Sequence, residues 1–163
     1  MSTTTPAAIR TAIAAIISGL TPTAHAGVRF VEHREESPIR DWVAANPGAC
    51  LRRFSVRWAG PLVPPTVTNT TEEWVERPLD VVITYPTDFR HGGRQLAGLD
   101  DVIAEDCRLI AHNVGTNGAA NLATQLGAAT VTITSEEDTG LDLGPVTLGV
   151  VRLAVRYYRS NAP

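Results

Sequence analysis

The chain contains no lysine; all fourteen of its basic residues are arginine. That removes Walker A chemistry, Schiff-base catalysis and any lysine general base. Cysteine is scarce too, with only Cys50 and Cys107. One disulfide is therefore the ceiling, and no C-x-x-C pair is available for a zinc site or a redox motif. Charged residues make up only 19% of the 163 positions, a light surface charge for a small monomer and a first sign that partners cover part of it. The net charge of −3 argues against a basic nucleic-acid binder or a protein of membrane surfaces. No run approaches the roughly 20 apolar residues of a membrane span. The 44% of apolar residues suffices for one core, and 1–163 reads as a single domain.

The stretch "AIAAIISGLTPTAHAG" (12–27) has the outline of a secretory signal: an apolar run and then Ala24-His25-Ala26 before Gly27. Its periodicity points elsewhere. Ile9, Ala12, Ile13, Ile16, Ile17 and Leu20 share one helical stripe, with Ala7, Arg10, Thr11, Ala14, Ala15 and Ser18 opposite. A signal core has no use for such a stripe. Thr5-Pro6 supplies a cap and a proline at the first helical position, and Gly19 with Pro22 ends the segment. The spacing predicts a core helix over 6–20. The competing expectation, a secreted binding domain, requires cleavage between Ala26 and Gly27.

Beyond this helix, "GVRFVEHR" (27–34) alternates as a short strand, and "SPIRDWVAANPG" (37–48) reads as a short helix capped by Ser37. "CLRRFSVRW" (50–58) places Phe54, Val56 and Trp58 on one strand face and Arg53, Ser55 and Arg57 on the other. Residues 59–77, "AGPLVPPTVTNTTEEWVER", hold three prolines and are expected to form an extended arm or long hairpin. "PLDVVITYP" (78–86) is a buried strand, followed by a polar loop over 87–95. A helix is expected over 96–114 with Gly115 at its end, then a short helix within 116–127. Two strands, 129–137 and 144–159, flank an acidic turn. The last strand is apolar on both faces, Val146, Leu148, Val150 and Ala154 against Val151, Leu153, Val155 and Tyr157. A strand so placed is covered on both sides and, at about 3.3 Å per residue, long enough to run past its own domain. The predicted class is α+β: a mostly antiparallel sheet, two main helices packed on it, and a projecting Pro-rich hairpin or arm.

Chemistry-bearing residues are present, but they do not converge. "GLDDVIAEDCRLIAH" (98–112) carries four carboxylates, a thiol and an imidazole. Asp101, Glu105, Arg108 and His112 share the solvent side of the helix, spaced as ordinary i,i+3 and i,i+4 pairs. Asp106 instead falls inside the apolar stripe of Leu99, Val102, Ile103, Ile110 and Val114, so it must be paired. Arg152 and Arg156, which interrupt the last strand, are its expected partners in a buried structural ion pair. Cys107 and His112 are about 140° apart on the helix and cannot form a nucleophile pair. "RHGGRQ" (90–95) lacks a G-x-S-x-G nucleophile, and "EHREE" (32–36) lacks the histidine spacing of zinc sites. No catalytic residue, metal ligand or cofactor site is identified. An enzyme would have to unite distant groups such as Asp88, His91 and Cys50.

The order of elements is itself informative. An amphipathic N-terminal helix and an Arg-bearing strand lead into an arm; then follow "RPLDVVITYP", a polar loop, the helix "LDDVIAEDCRLI" and a closing strand "VVRLAVRYYR". This pattern resembles the tail terminator, or tail completion, proteins of long-tailed bacteriophages and related particles. The resemblance implies a non-enzymatic virion protein that assembles in the host cytoplasm as a hexameric ring. Such a ring caps the finished tail tube at the tail–neck junction, ends polymerisation and joins the tail to the head connector. Its implied partners are further copies of itself, the tail tube protein, connector or neck proteins, and a sheath protein if the tail contracts. DNA passes through the lumen without specific binding, and no membrane is involved. A head-closure or connector-adaptor role is the neighbouring alternative. The residues suggest a subunit seam in which Arg53 and Arg57 meet Glu72, Glu73 and Glu76 of the next copy, with Trp74 as an apolar anchor.

Overall fold

The computed structural model describes residues 5–34, 39–45, 51–61, 72–86, 90–91, 94–95, 98–117, 130–142 and 146–160. The first helix, α1 (Pro6–Gly19), begins as its sequence dictates: Thr5 is extended and its hydroxyl accepts a hydrogen bond from the Ala8 N–H (3.2 Å), with proline in the first turn. Ile9, Ile13 and Ile17 are fully buried. Ala14, expected on the far side, is buried too, so the covered face is broader than the isoleucine stripe.

Five strands form the main sheet in the order β1-β2-β3-β7-β6. They are β1 (Val31–Glu32), β2 (Arg53–Trp58), β3 (Glu72–Pro86), β6 (Thr130–Asp142) and β7 (Val146–Ser160). Only the β1–β2 pairing is parallel. A separate two-stranded ribbon, β4 (Arg90–His91) with β5 (Arg94–Gln95), occupies part of what reads as a polar loop. Helix α2 (Ile39–Ala45) is short, and α3 (Leu99–Ala111) runs on into a π-helical turn, His112–Asn117. The architecture is α+β, as the periodicities require.

The centre of the sheet is the β3–β7 ladder, in register from Glu72 opposite Ser160 to Pro86 opposite Val146. Its neighbours are shorter. The β2 register ends at Trp58 opposite Leu79, and the β6 register at Thr130 opposite Arg156. Among the described residues the ladder therefore continues past both as a two-stranded ribbon. Residues 72–77, expected in the arm, belong to this ribbon; residues 62–71 of the arm lie outside the described residues. Pro78 is tolerated inside β3 because its carbonyl accepts the Ala59 N–H (3.0 Å) where β2 stops. Its missing N–H falls on that same side, beyond the last β2 residue in register.

Strand alternation sorts the sheet into two faces. Phe54, Leu79, Val81, Ile83, Tyr85, Val151, Leu153, Val155 and Tyr157 join α1 and α3 in the main core. On the other face α2 contributes Ile39 and Trp42 to a small cluster with Val146 and Leu148. Helix α3 lies very close to β7 at Gly149: a Cβ there would meet Ile103 Cγ2 at 3.0 Å and Cys107 Sγ at 3.1 Å.

Three expectations need correction. The strand over 27–34 shrinks to Val31–Glu32, because the preceding residues form a turn in which the Val28 N–H donates to the His25 carbonyl (2.9 Å). Gly115 does not end the long helix but is buried within the π-helical turn. The acidic turn is shorter than it reads, since β6 extends to Asp142 through register shifts at Ile133/Ser135 and Glu137/Leu141. Bulges of that kind let a strand absorb residues that do not fit the ladder. The cap Ser37 lies outside the described residues, as does the short helix expected over 116–127 except for Thr116 and Asn117, which belong to the π-helical turn.

Candidate functional site

Two charged arrangements stand out, one buried and one exposed. The buried one is built on Arg52, which precedes β2 and is only 1% exposed. Its backbone occupies the left-handed region (φ 53°), uncommon for a residue with a side chain. The guanidinium donates from Nε to Asp106 Oδ2 (2.6 Å) and from Nη2 to Asp106 Oδ1 (3.2 Å). It also donates from Nη1 to the His25 and Val28 carbonyls (3.1 and 3.0 Å) and from Nη2 to the Ala24 carbonyl (2.6 Å). All five N–H groups of the fork are thereby used. Tyr85 completes the set by donating its hydroxyl to Asp106 Oδ2 (2.9 Å).

The network ties three parts of the chain together: the turn after α1, the start of β2, and α3. Burial pushes the Asp106 carboxyl above its ordinary value, opposed by the hydrogen bonds and charge of Arg52 and by the Tyr85 hydroxyl. Burial, reinforced by the nearby Asp106 charge, pushes Tyr85 well up, so the phenol stays a neutral donor. No buried side-chain polar atom among the described residues lacks a partner. The arrangement is closed and saturated, which suits a clamp and leaves no group free to attack a substrate.

The expected pairing of Asp106 with Arg152 or Arg156 is therefore wrong. Both arginines project from the opposite face of the sheet. Arg152 Nε donates to Asp80 Oδ1 (3.1 Å), and Arg156 Nη2 donates to Glu76 Oε2 (3.1 Å). The partner was legible in principle. If Arg53, Ser55 and Arg57 face outward, then Arg52 has the parity of Phe54, Val56 and Trp58, and an arginine on a covered face needs a buried acid.

The exposed arrangement lies on that opposite face. Across the strands Arg57 stands in register with Asp80, and Asp80 with Arg152; Glu76 is opposite Arg156. Arg57 is exposed and makes no ion pair among the described residues. Arg53 is already engaged: its guanidinium stacks 3.6 Å from the Trp42 ring centroid, and its Nε donates to His33 Nδ1 (3.2 Å). Glu76, expected to reach a neighbouring copy, is paired within its own chain. The side chains of Glu72, Glu73 and Trp74 lie outside the described residues, although their backbone is placed in β3. Asp88 and Cys50 lie outside them altogether, as does the side chain of His91. Among the described residues no three His, Cys, Asp or Glu groups converge to hold a metal, and no helix is long and apolar enough to cross a membrane.

No protein-family model matches the chain, and no curated protein matches it.

Proposed function

We propose that the protein is a tail terminator: a structural subunit whose ring of about six copies closes a finished phage-type tail tube. The ring ends tail polymerisation and joins the tail to the head connector. Its place is the tail–neck junction of the virion, after assembly in the host cytoplasm. The observation that carries this reading is the β3–β7 ladder, which outruns both neighbouring strands. A small domain with its two longer helices on one sheet face and a central ladder that outruns its described neighbours has the form of a subunit completed by further copies. The saturated Arg52 clamp supports the same reading, because a rigid wedge suits ring closure and lacks the open polar groups of catalysis. The net charge of −3 suits a lumen that DNA must traverse without sticking, since phosphate binding requires an excess of basic charge.

The test is the solution mass of the purified chain by light scattering, with negative-stain images, alone and mixed with tail tubes. Rings with a central hole that cap the tubes uphold the reading. A chain that forms no ring and leaves the tubes uncapped overturns it. A chain that ignores the tubes and binds isolated connectors is a head-closure or adaptor protein instead.

A further inference from the structure

We propose that Asp106 is a proton-operated release on the Arg52 clamp: a proton taken up by its carboxylate inside the folded chain slackens the turn after α1. The device is independent of ring assembly. Three observations lead to it. The first is that every hydrogen bond made with the Asp106 carboxyl is donated to it. Arg52 gives two N–H groups and Tyr85 gives its hydroxyl. That environment is built for a carboxylate. A protonated acid brings an O–H of its own, and the Tyr85 oxygen is the one acceptor among these partners. The phenol must then turn from donor to acceptor.

The second is what the far end of the guanidinium holds. Its three remaining N–H groups reach the carbonyls of Ala24, His25 and Val28. The Val28 N–H closes the same turn on the His25 carbonyl. His25 and Arg52 both stand at φ 53°, a left-handed conformation that persists outside glycine only where the surrounding contacts impose it. The turn thus takes its shape from a guanidinium whose position α3 fixes through Asp106. Cancelling the carboxylate charge removes the charge-assisted part of that link.

The third is that the proton is compatible with the native state. Burial outweighs the Arg52 charge and raises the Asp106 value, so acid converts the clamp without opposing folding. Charge acts on Asp106 from Arg52 and, within α3, from Glu105; Tyr85 and the Cys107 that acts on it are the other titratable neighbours. The turn adds the His25 imidazole. The residues that α1 and β7 turn to this core are apolar, Ile9, Ile13 and Ile17 with Val151, Leu153 and Val155. Glu136 of β6 stands in register with Val151, and its side chain lies outside the described residues.

The experiment follows the wild-type chain by NMR from neutral pH down to about pH 4, the ordinary aspartate value. The carboxyl carbon shift of Asp106 reports its proton. Hydrogen exchange of the Val28 amide, corrected for the intrinsic pH dependence, reports opening of the turn. The carboxyl should titrate within the folded chain, and Val28 protection should fall about tenfold with the same midpoint, the effect of turning one charge-assisted hydrogen bond into a neutral one. Amides of the β3–β7 ladder should hold their protection. Asp106→Asn, which fixes the neutral state, should show low Val28 protection at every pH. His25→Asn, chosen because Asn accepts a left-handed backbone, Glu105→Gln and Glu136→Gln should each keep the transition. Constant Val28 protection across the Asp106 titration overturns the proposal. So does a parallel loss in the ladder, which marks global unfolding, or a carboxyl that stays ionised until the chain unfolds. A transition that vanishes in any folded control variant assigns the proton to that residue and overturns it too. If Asp106→Asn does not fold, the wild-type series decides alone.

Discussion

Arg52 spends its whole donor set on one carboxylate and three backbone carbonyls, so removing Asp106 leaves a buried guanidinium without its counter-charge. Asp106→Ala is expected to destabilise the fold by about 3–5 kcal/mol, the usual penalty for orphaning one member of a buried pair. Tyr85→Phe removes a single hydrogen bond and is expected to cost about 1 kcal/mol. Urea denaturation of both variants checks the ranking. The pH dependence has a definite sign. With its value raised in the native state, Asp106 keeps its proton over the interval between the ordinary aspartate value of about 4 and its native value, where the unfolded chain has already lost it. Above that interval it is the ionised partner of Arg52. Its contribution to stability is greatest below the unfolded value and declines as pH rises through the native one. Asp106→Asn should remove that slope, which parallel denaturation series between pH 4 and 7 would reveal. The burial of Asp106 was legible because helical periodicity is local. Its partner needed strand parity and tertiary packing together, because Arg52 and Asp106 lie 54 residues apart and meet only in the folded chain.

At the scale of elements, the helices α1 and α3 and the strands β2, β3 and β7 could be placed from period and caps alone. Their signals are repeated over many residues. What escaped were elements decided by pairing. Residues 138–142 carry Asp and Gly, local turn formers, yet the ladder with β7 holds them in β6 across a register shift. Residues 72–77 follow a Pro-rich stretch, and their strand exists because β7 is long enough to pair with it. The closest approach between elements makes its own prediction. Gly149→Ala sets a methyl 3.0 Å from Ile103 Cγ2 and 3.1 Å from Cys107 Sγ, so those side chains must give by a few tenths of an ångström. A loss of about 1 kcal/mol is expected in thermal or urea unfolding, at the low end of overpacking costs.

At the scale of the molecule, ion pairs contribute according to their exposure. Glu76 and Arg156 remain 42% and 56% exposed, and such pairs are worth roughly 0–1 kcal/mol. Glu76→Gln is therefore expected to leave stability within about 0.5 kcal/mol of the parent, which its urea denaturation midpoint checks. The long central ladder carries a mechanical consequence. Its hydrogen bonds run across the strands, so a load applied along β3 and β7 in opposite senses strains every rung at once and cannot peel them one by one. Force that draws the two ends of the molecule apart along these strands therefore meets the stiffest direction of its fold.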